Sequence, residues 1–254
     1  MPASDRVPRQ VFVSPHPDDA VWSCGGRLAA LVMAGVDVLL VSCFDGDAEG
    51  DSPLPEAGWR SMLRPSLRRL EDRQVALTLG VGHASMGLID AGLRRSDGEW
   101  RYLSSQALMG PSHPDDRSIV SSLAAALCCH LLSSDHLHIP LAATSHVDHR
   151  IARQAAEAAA AALKLRALSY YEEFPYSIAP GAGGPPGTGG LFPRSIAVDL
   201  AVWLHLGSRY RSQVRLIFGQ ANRFKAALTR WAEERGNDTG TKHGERYWSR
   251  SDLR

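Results

Sequence analysis

Apolar positions in this chain fall into two alternating rhythms over its first two thirds. Val11-Phe12-Val13 is an unbroken apolar run of the kind that marks a strand buried on both faces, and Val36 to Phe44 is a second, rich in Val and Leu. Between them Gly25 to Ala34 reads as a helix stopped by Gly35. Pro65 to Leu79 has helical spacing, with proline in its first turn and Gly80 at its end. Ile119 to Leu132 predicts another apolar helix, Leu137 to Ala142 a strand, and Ile151 to Leu165 an alanine-rich helix. Such alternation implies parallel strands joined by right-handed crossovers. The expected fold is therefore α/β, a Rossmann-like three-layer α/β/α sandwich with a mostly parallel sheet.

The last third changes rhythm. Residues 178–190 form a Gly/Pro stretch with too few side chains to pack, and read as a flexible loop that serves either as a lid or as a plain connection. After it, Ser195 to Leu200 alternates like a strand, and Trp203 through Trp231 carries a helical pattern. No domain linker interrupts the chain, so a single domain over residues 1–254 is expected.

Composition narrows the function classes. With 44% hydrophobic and 22% charged residues, the chain can bury one large α/β core. A formal net charge of +1 argues against broad electrostatic attraction to nucleic acid or anionic membrane. Cys24, Cys43, Cys128 and Cys129 form no C-x-x-C pair, which points to reduced, mostly core thiols instead of a thiolate metal site. The longest apolar region, Leu28 to Phe44, is broken by Gly35 and Asp37, and the amino terminus has no basic flank followed by an apolar stretch. The expectation is a cytoplasmic protein without membrane insertion. No coiled-coil heptad predicts a stoichiometry, and a homo-oligomer is compatible with the sequence.

The chemistry concentrates in two places. Ser14-Pro15-His16-Pro17-Asp18-Asp19 puts one imidazole and two carboxylates directly after the first strand, and Ser145-His146-Val147-Asp148-His149-Arg150 follows a later strand. Open α/β sheets bind their ligands at the carboxyl ends of strands. Catalytic zinc takes three ligands from His and carboxylate and leaves one position open. No G-x-G-x-x-G follows the first strand, no P-loop is present, and Val21-Trp22-Ser23-Cys24-Gly25 lacks the first glycine of a G-x-S-x-G elbow. Ser112-His113-Pro114-Asp115-Asp116 repeats the His-Pro-Asp-Asp string without a β-branched strand before it, and reads as a cap for the helix that follows.

The two main segments resemble the motifs of LmbE-like, PIG-L-related de-N-acetylases, H-P-D-D and H-x-D-H. Arg68-Arg69-Leu70-Glu71 is similar to the family's R-x-x-E helix, and Leu88-Ile89-Asp90-Ala91-Gly92 to its acidic substrate loop. Tyr171 to Tyr176 and Gly244 to Trp248 resemble weaker signatures of a subgroup in secondary metabolism. The resemblance implies zinc, or Fe2+ or another divalent metal, held by His16, Asp19 and His149. It implies that Asp18 is left unligated as general base and that the imidazolium of His146 faces the scissile carbonyl, as oxyanion stabiliser or acid. Arg68 and Asp90 then hold sugar hydroxyls, or else stand in a surface ion pair; Asp148 either orients an imidazole or caps the helix beginning near Ile151. Ala20 stands where many relatives have Glu, and Thr144 where some have Tyr, which separates this chain from the mycothiol and bacillithiol pathways. The implied activity is removal of acetyl from an N-acetylglucosaminyl-type amino sugar on a secondary-metabolite scaffold. Two alternatives stay open: an amidase acting on another N-acyl metabolite or thiol conjugate, and a non-catalytic metal- or carbohydrate-binding module.

Overall fold

Near the centre of the sheet lies β1 (Gln10–Ser14), buried along its whole length as its apolar run requires. The computed structural model describes residues 7–48, 58–143, 145–176 and 189–250. After β1 come α1 (Asp19–Met33), β2 (Val38–Ser42), α2 (Pro65–Leu79), β3 (Gly82–Ser85), and the hairpin of β4 (Arg95–Ser96) and β5 (Glu99–Trp100). Next are α3 (Arg117–Cys128), β6 (His136–Pro140), α4 (Val147–Ala162), β7 (Ala167–Tyr171) and β8 (Phe192–Ala197). The chain continues through α5 (Leu200–Gly207), the one-turn α6 (Arg211–Gln213), α7 (Ala221–Gly236) and β9 (Gly244–Ser249).

The seven-stranded sheet has the order β3-β2-β1-β6-β7-β9-β8. From β3 to β7 the pairs are parallel, while β9 runs antiparallel to both β7 and β8. Alternate residues of β1 face opposite layers, as the pleat dictates. Val11 and Val13 pack with Leu123, Leu127, Ile151 and Ala155 of α3 and α4, and Phe12 packs with Leu28, Val75, Trp203 and Leu228 of α1, α2, α5 and α7. The three-layer α/β/α sandwich is thus present. Among the described residues no helix is long and apolar enough to cross a membrane, and the four cysteines are free.

Several sequence expectations shift. Helix α1 begins at Asp19, so the first motif itself opens it, and it kinks at Cys24 (φ −132°, ψ 17°); the helix expected from Gly25 is its second segment. Gly25 and Gly26, which follow the kink, allow close packing: a Cβ at Gly25 would come within 2.4 Å of the Trp203 ring, and one at Gly26 within 2.6 Å of Val198. Helix α4 likewise starts at Val147, inside the second motif. The pattern from Trp203 to Trp231 is two longer helices, because Gly219 at φ 73° lets the chain turn before α7. Strands β3, β7 and β9 carry no clean apolar signal; β3 is a half-exposed edge strand, and β9 includes Glu245 and Arg246. Thr144 and the Gly/Pro stretch, apart from Gly189 and Gly190, lie outside the described residues.

Asp115 or Asp116 is expected to cap α3; Asp116 precedes that helix but accepts none of its N–H groups, and the Asp115 carboxylate accepts from the Ser96 hydroxyl. The Asp116 carboxylate turns inward instead, to Arg101 at 2.6 Å, the Tyr102 hydroxyl at 2.6 Å and Arg94 at 3.0 Å.

Candidate metal centre

Strands β1 and β6 are parallel neighbours, and the chain leaves them toward opposite ends of the sheet, to β2 and β3 on one side and to β7 on the other. A crevice opens at such a reversal, outside the carboxyl ends of the strands. Both motif loops lie there. Each contains backbone in a region that disfavours side chains: Asp18 at φ 120° in the first, Ala142 at φ 53° and Ser145 at φ 68° before the second. Conformations of this kind cost on the order of 1–3 kcal/mol each and collect at functional sites.

The first loop is held from within. Ser14 Oγ donates to the His16 carbonyl at 2.5 Å and accepts from the Ala20 N–H at 3.0 Å, while the His16 N–H donates to Asp19 Oδ2 at 2.8 Å. Three donor atoms then converge. His16 Nδ1 lies 3.1 Å, and His149 Nε2 3.3 Å, from the same Asp19 Oδ2. His149 is fully buried, yet its Nε2 lacks an aligned hydrogen bond. An unpaired nitrogen in such a place is costly unless something else occupies its lone pair. Two imidazole nitrogens and a carboxylate oxygen at this spacing suit a divalent transition metal.

The far nitrogens of both rings are backed by carboxylates, the usual arrangement behind metal-bound histidines. His149 Nδ1 lies 3.0 Å from Glu173 Oε1, which also accepts the Ala142 N–H at 2.8 Å. His16 Nε2 lies 3.0 Å from Asp148 Oδ2, which also accepts the Ala91 N–H at 2.8 Å. Asp148 therefore orients an imidazole and is not a helix cap; that place is taken by His146, whose Nδ1 accepts the Asp148 N–H at 3.2 Å. Arg94 bonds the other Asp148 oxygen, with Asp116 behind it. His16, His146 and Asp148 form a second possible donor group. Its carboxylate is already committed to a guanidinium and a backbone N–H, which favours the first set.

Charge follows the same logic. Burial opposes a charged ring at His16, but Asp90, Asp148 and Asp19 outweigh it and push its pKa up to about 9. His149 is pushed up to about 10, again against burial, by Asp19 and Glu173. The carboxylates thus demand positive charge here, and a divalent cation meets that demand with both rings neutral. Burial and the neighbouring imidazoles His149 and His16 hold His146 well below the ordinary histidine value. The imidazolium expected for His146 is disfavoured. With Nδ1 accepting, the tautomer assigned by its hydrogen bond carries the proton on Nε2.

Asp18 is 4% exposed. Burial and the charge of Asp19 raise its pKa to about 7, with Arg68 and His16 pulling the other way. Arg68, on α2, spans two carboxylates: its Nη2 donates to Asp18 Oδ1 at 3.1 Å and its Nη1 to Asp90 Oδ2 at 3.0 Å. All the site residues singled out from the sequence therefore meet in one buried cluster. Glu173, Arg94 and Tyr176 join them without having been assigned a place, although Glu173 and Tyr176 fall in the Tyr171 to Tyr176 segment, and Asp116 joins them in place of the cap role read for the repeated string. Glu173→Gln is expected to lower metal affinity ~10–100-fold, as loss of an outer hydrogen-bond partner does. Competition with a chromophoric chelator measures this, and an unchanged affinity would remove Glu173 from the metal's support.

The site is thus an α/β sandwich's switch point carrying a His/Asp/His donor set, with a further carboxylate, Asp18, held beside it by Arg68. Residues 11–160 match the family model for PIG-L: GlcNAc-PI de-N-acetylase, over half of the chain, and the protein belongs to that family. It is 30% identical over 171 residues to 2'-N-acetylparomamine deacetylase of Streptomyces fradiae, a match covering 66% of this chain and 58% of that protein. A shorter match, 33% over 92 residues, is to mycothiol S-conjugate amidase of Streptomyces coelicolor and covers 35% of this chain and 31% of that one. The matches thus span less than two thirds of these curated relatives. Among solved structures, a deacetylase of the teicoplanin biosynthesis pathway superimposes with a TM-score of 0.79 at 27% identity, covering 97% of this chain and all of the other. A zinc-inhibited form of teicoplanin deacetylase gives 0.78 at 26% identity with the same coverage.

Proposed function

We propose that this protein is a zinc-dependent N-deacetylase that removes acetyl from an N-acetylglucosaminyl-type amino sugar carried on a larger natural-product scaffold. The observation that carries the reading is the convergence of His16 Nδ1, Asp19 Oδ2 and the unpartnered His149 Nε2, with the buried Asp18 beside them outside the donor set. The deacetylase names of its relatives in paromamine and teicoplanin chemistry support the substrate class. His16, Asp19 and His149 would hold the metal, which when bound supplies Lewis acidity to the amide carbonyl and to water.

The chain's own groups account for the proton movements. Asp18, with a proton affinity near neutrality, takes a proton from the attacking water and returns it to the departing amine nitrogen. His146 donates its Nε2–H to the carbonyl oxygen as negative charge develops there. Arg68 fixes Asp18 and Asp90 together, and Asp90 keeps lone pairs for a sugar hydroxyl. A net charge near zero and four free cysteines fit a small-molecule enzyme working in the reducing cytoplasm.

Acetate release from a panel of N-acetylglucosaminyl compounds, on protein of measured metal content, tests the reading. Release that chelation abolishes and zinc restores is expected, with Fe2+, Co2+ and Ni2+ run alongside to assign the metal. Hydrolysis confined to other N-acyl or thiol-conjugate amides would favour the amidase alternative, and bound metal without any hydrolysis a binding module.

A further inference from the structure

We infer that Tyr176 is a further catalytic residue of this site, its hydroxyl donating a hydrogen bond to the acyl oxygen of the substrate; the inference rests on the deacetylase reading. The segment that delivers it is anchored at two points. Glu173, just beyond β7, is tied to His149 Nδ1 and the Ala142 N–H. The Phe174 N–H donates to Ser23 Oγ at 3.1 Å, and the Phe174 ring is buried against Trp22, Phe224 and Trp231. The same segment that orients a metal-binding imidazole therefore sets the position of Tyr176. Its ring stands edge-on to His149, with centroids 5.5 Å apart and planes at 89°.

What distinguishes this phenol is that it is uncommitted. The other tyrosines buried in the core spend their hydroxyls on the protein: Tyr171 on the Val13 carbonyl, Tyr210 on Asp72, Tyr102 on Asp116 and Tyr170 on Glu157. Tyr176 is only partly buried, and among the described residues its hydroxyl has no hydrogen-bond partner. A phenol facing a reaction centre without a protein acceptor is available to a ligand oxygen. An ordinary phenol already keeps its proton at the pH where a carboxylate is ionised, so Tyr176 can donate while Asp18 accepts. No proton leaves it in the reaction; with His146 Nε2–H it forms a two-point cradle for the developing negative oxygen.

Tyr176→Phe removes the hydroxyl and keeps the ring against His149. The expected result is unchanged metal content and melting temperature, KM within about threefold of wild type, and kcat lower by on the order of 10²-fold, the effect of deleting one oxyanion donor. Tyr176→Leu, which also removes the edge contact with His149, separates packing from hydrogen bonding. If Phe matches wild type in kcat while Leu weakens metal binding, Tyr176 serves His149 alone and the inference is overturned. Wild-type protein assayed in parallel distinguishes the two failures. Absence of acetate release from wild type overturns the deacetylase reading and this one with it, whereas active wild type with an equally active Phe variant overturns only the role of Tyr176.

Discussion

Asp18→Asn is expected to keep its metal and lose ~10²-fold or more in turnover, the range a positioned general base contributes. The substitution preserves shape and still accepts from Arg68 Nη2, which lies 3.1 Å from Asp18 Oδ1. It removes the lone-pair basicity and nothing from the donor set of His16, Asp19 and His149. A pH profile adds a second readout. Asp18 must be ionised to take the first proton, so kcat/KM is high above its pKa and falls as pH drops through it. Burial and Asp19 place that value at about 7, and a cation bound alongside draws it lower, so the acid limb is expected at or below neutrality. In the Asn variant the residual activity should lack this limb. Full turnover, or a limb unchanged in the variant, would take Asp18 out of the proton path; loss of metal would instead place it among the ligands.

How much of this was legible before the structure depends on whether the relevant residues are neighbours in sequence or only in space. His16, Asp18 and Asp19 form one cluster after an apolar run, and His146 and His149 another, so two strand ends sufficed to predict their meeting. The alternation of Val11 to Leu165 likewise exposed the sandwich, because strands buried on both faces and amphipathic helices carry strong periodic signals. The supporting shell has no such signal. Glu173 reaches His149 because β7 pairs with β6, and β7, with the sequence Ala-Leu-Ser-Tyr-Tyr, is only moderately apolar. Arg94 reaches Asp148 across a long sequence separation. The repeated His-Pro-Asp-Asp string misled in detail: its local pattern permits a cap, but two arginines and Tyr102 compete for Asp116, and a buried carboxylate gains more from charge-assisted bonds than from a helix N–H. The protonation of His146 was also beyond sequence, since it depends on burial and on two other imidazoles close to it.

His149→Ala should abolish stoichiometric metal binding and, with it, hydrolysis. The loss in affinity is expected to exceed the ~10–100-fold that removal of an outer partner causes, because a donor atom itself is gone. A confounding effect is built into the site. Glu173 is 2% exposed, and without His149 its carboxylate keeps only the Ala142 N–H and buries a charge that lacks a counterpart. Breaking such a buried pair costs about 3–5 kcal/mol, so the metal-free variant should melt below metal-free wild type. The double variant His149→Ala/Glu173→Gln separates these effects. Neutralising Glu173 removes the uncompensated charge and should restore part of the melting temperature, while metal remains unbound because the amide introduced there lies outside the donor set. Stoichiometric metal in the folded double variant would shift the centre to His16, His146 and Asp148. Such a site would take Asp148 through Oδ2, the oxygen facing His16, in competition with the Ala91 N–H, while the Arg94 charge on Oδ1 weakens the carboxylate's hold on a cation; it therefore predicts weakened metal binding on addition of positive charge near Asp148 and tighter binding in Arg94→Met. For the His16, Asp19 and His149 centre the prediction is opposite. There Arg94 holds Asp148 against His16, and Arg94→Met should loosen the ring and lower affinity.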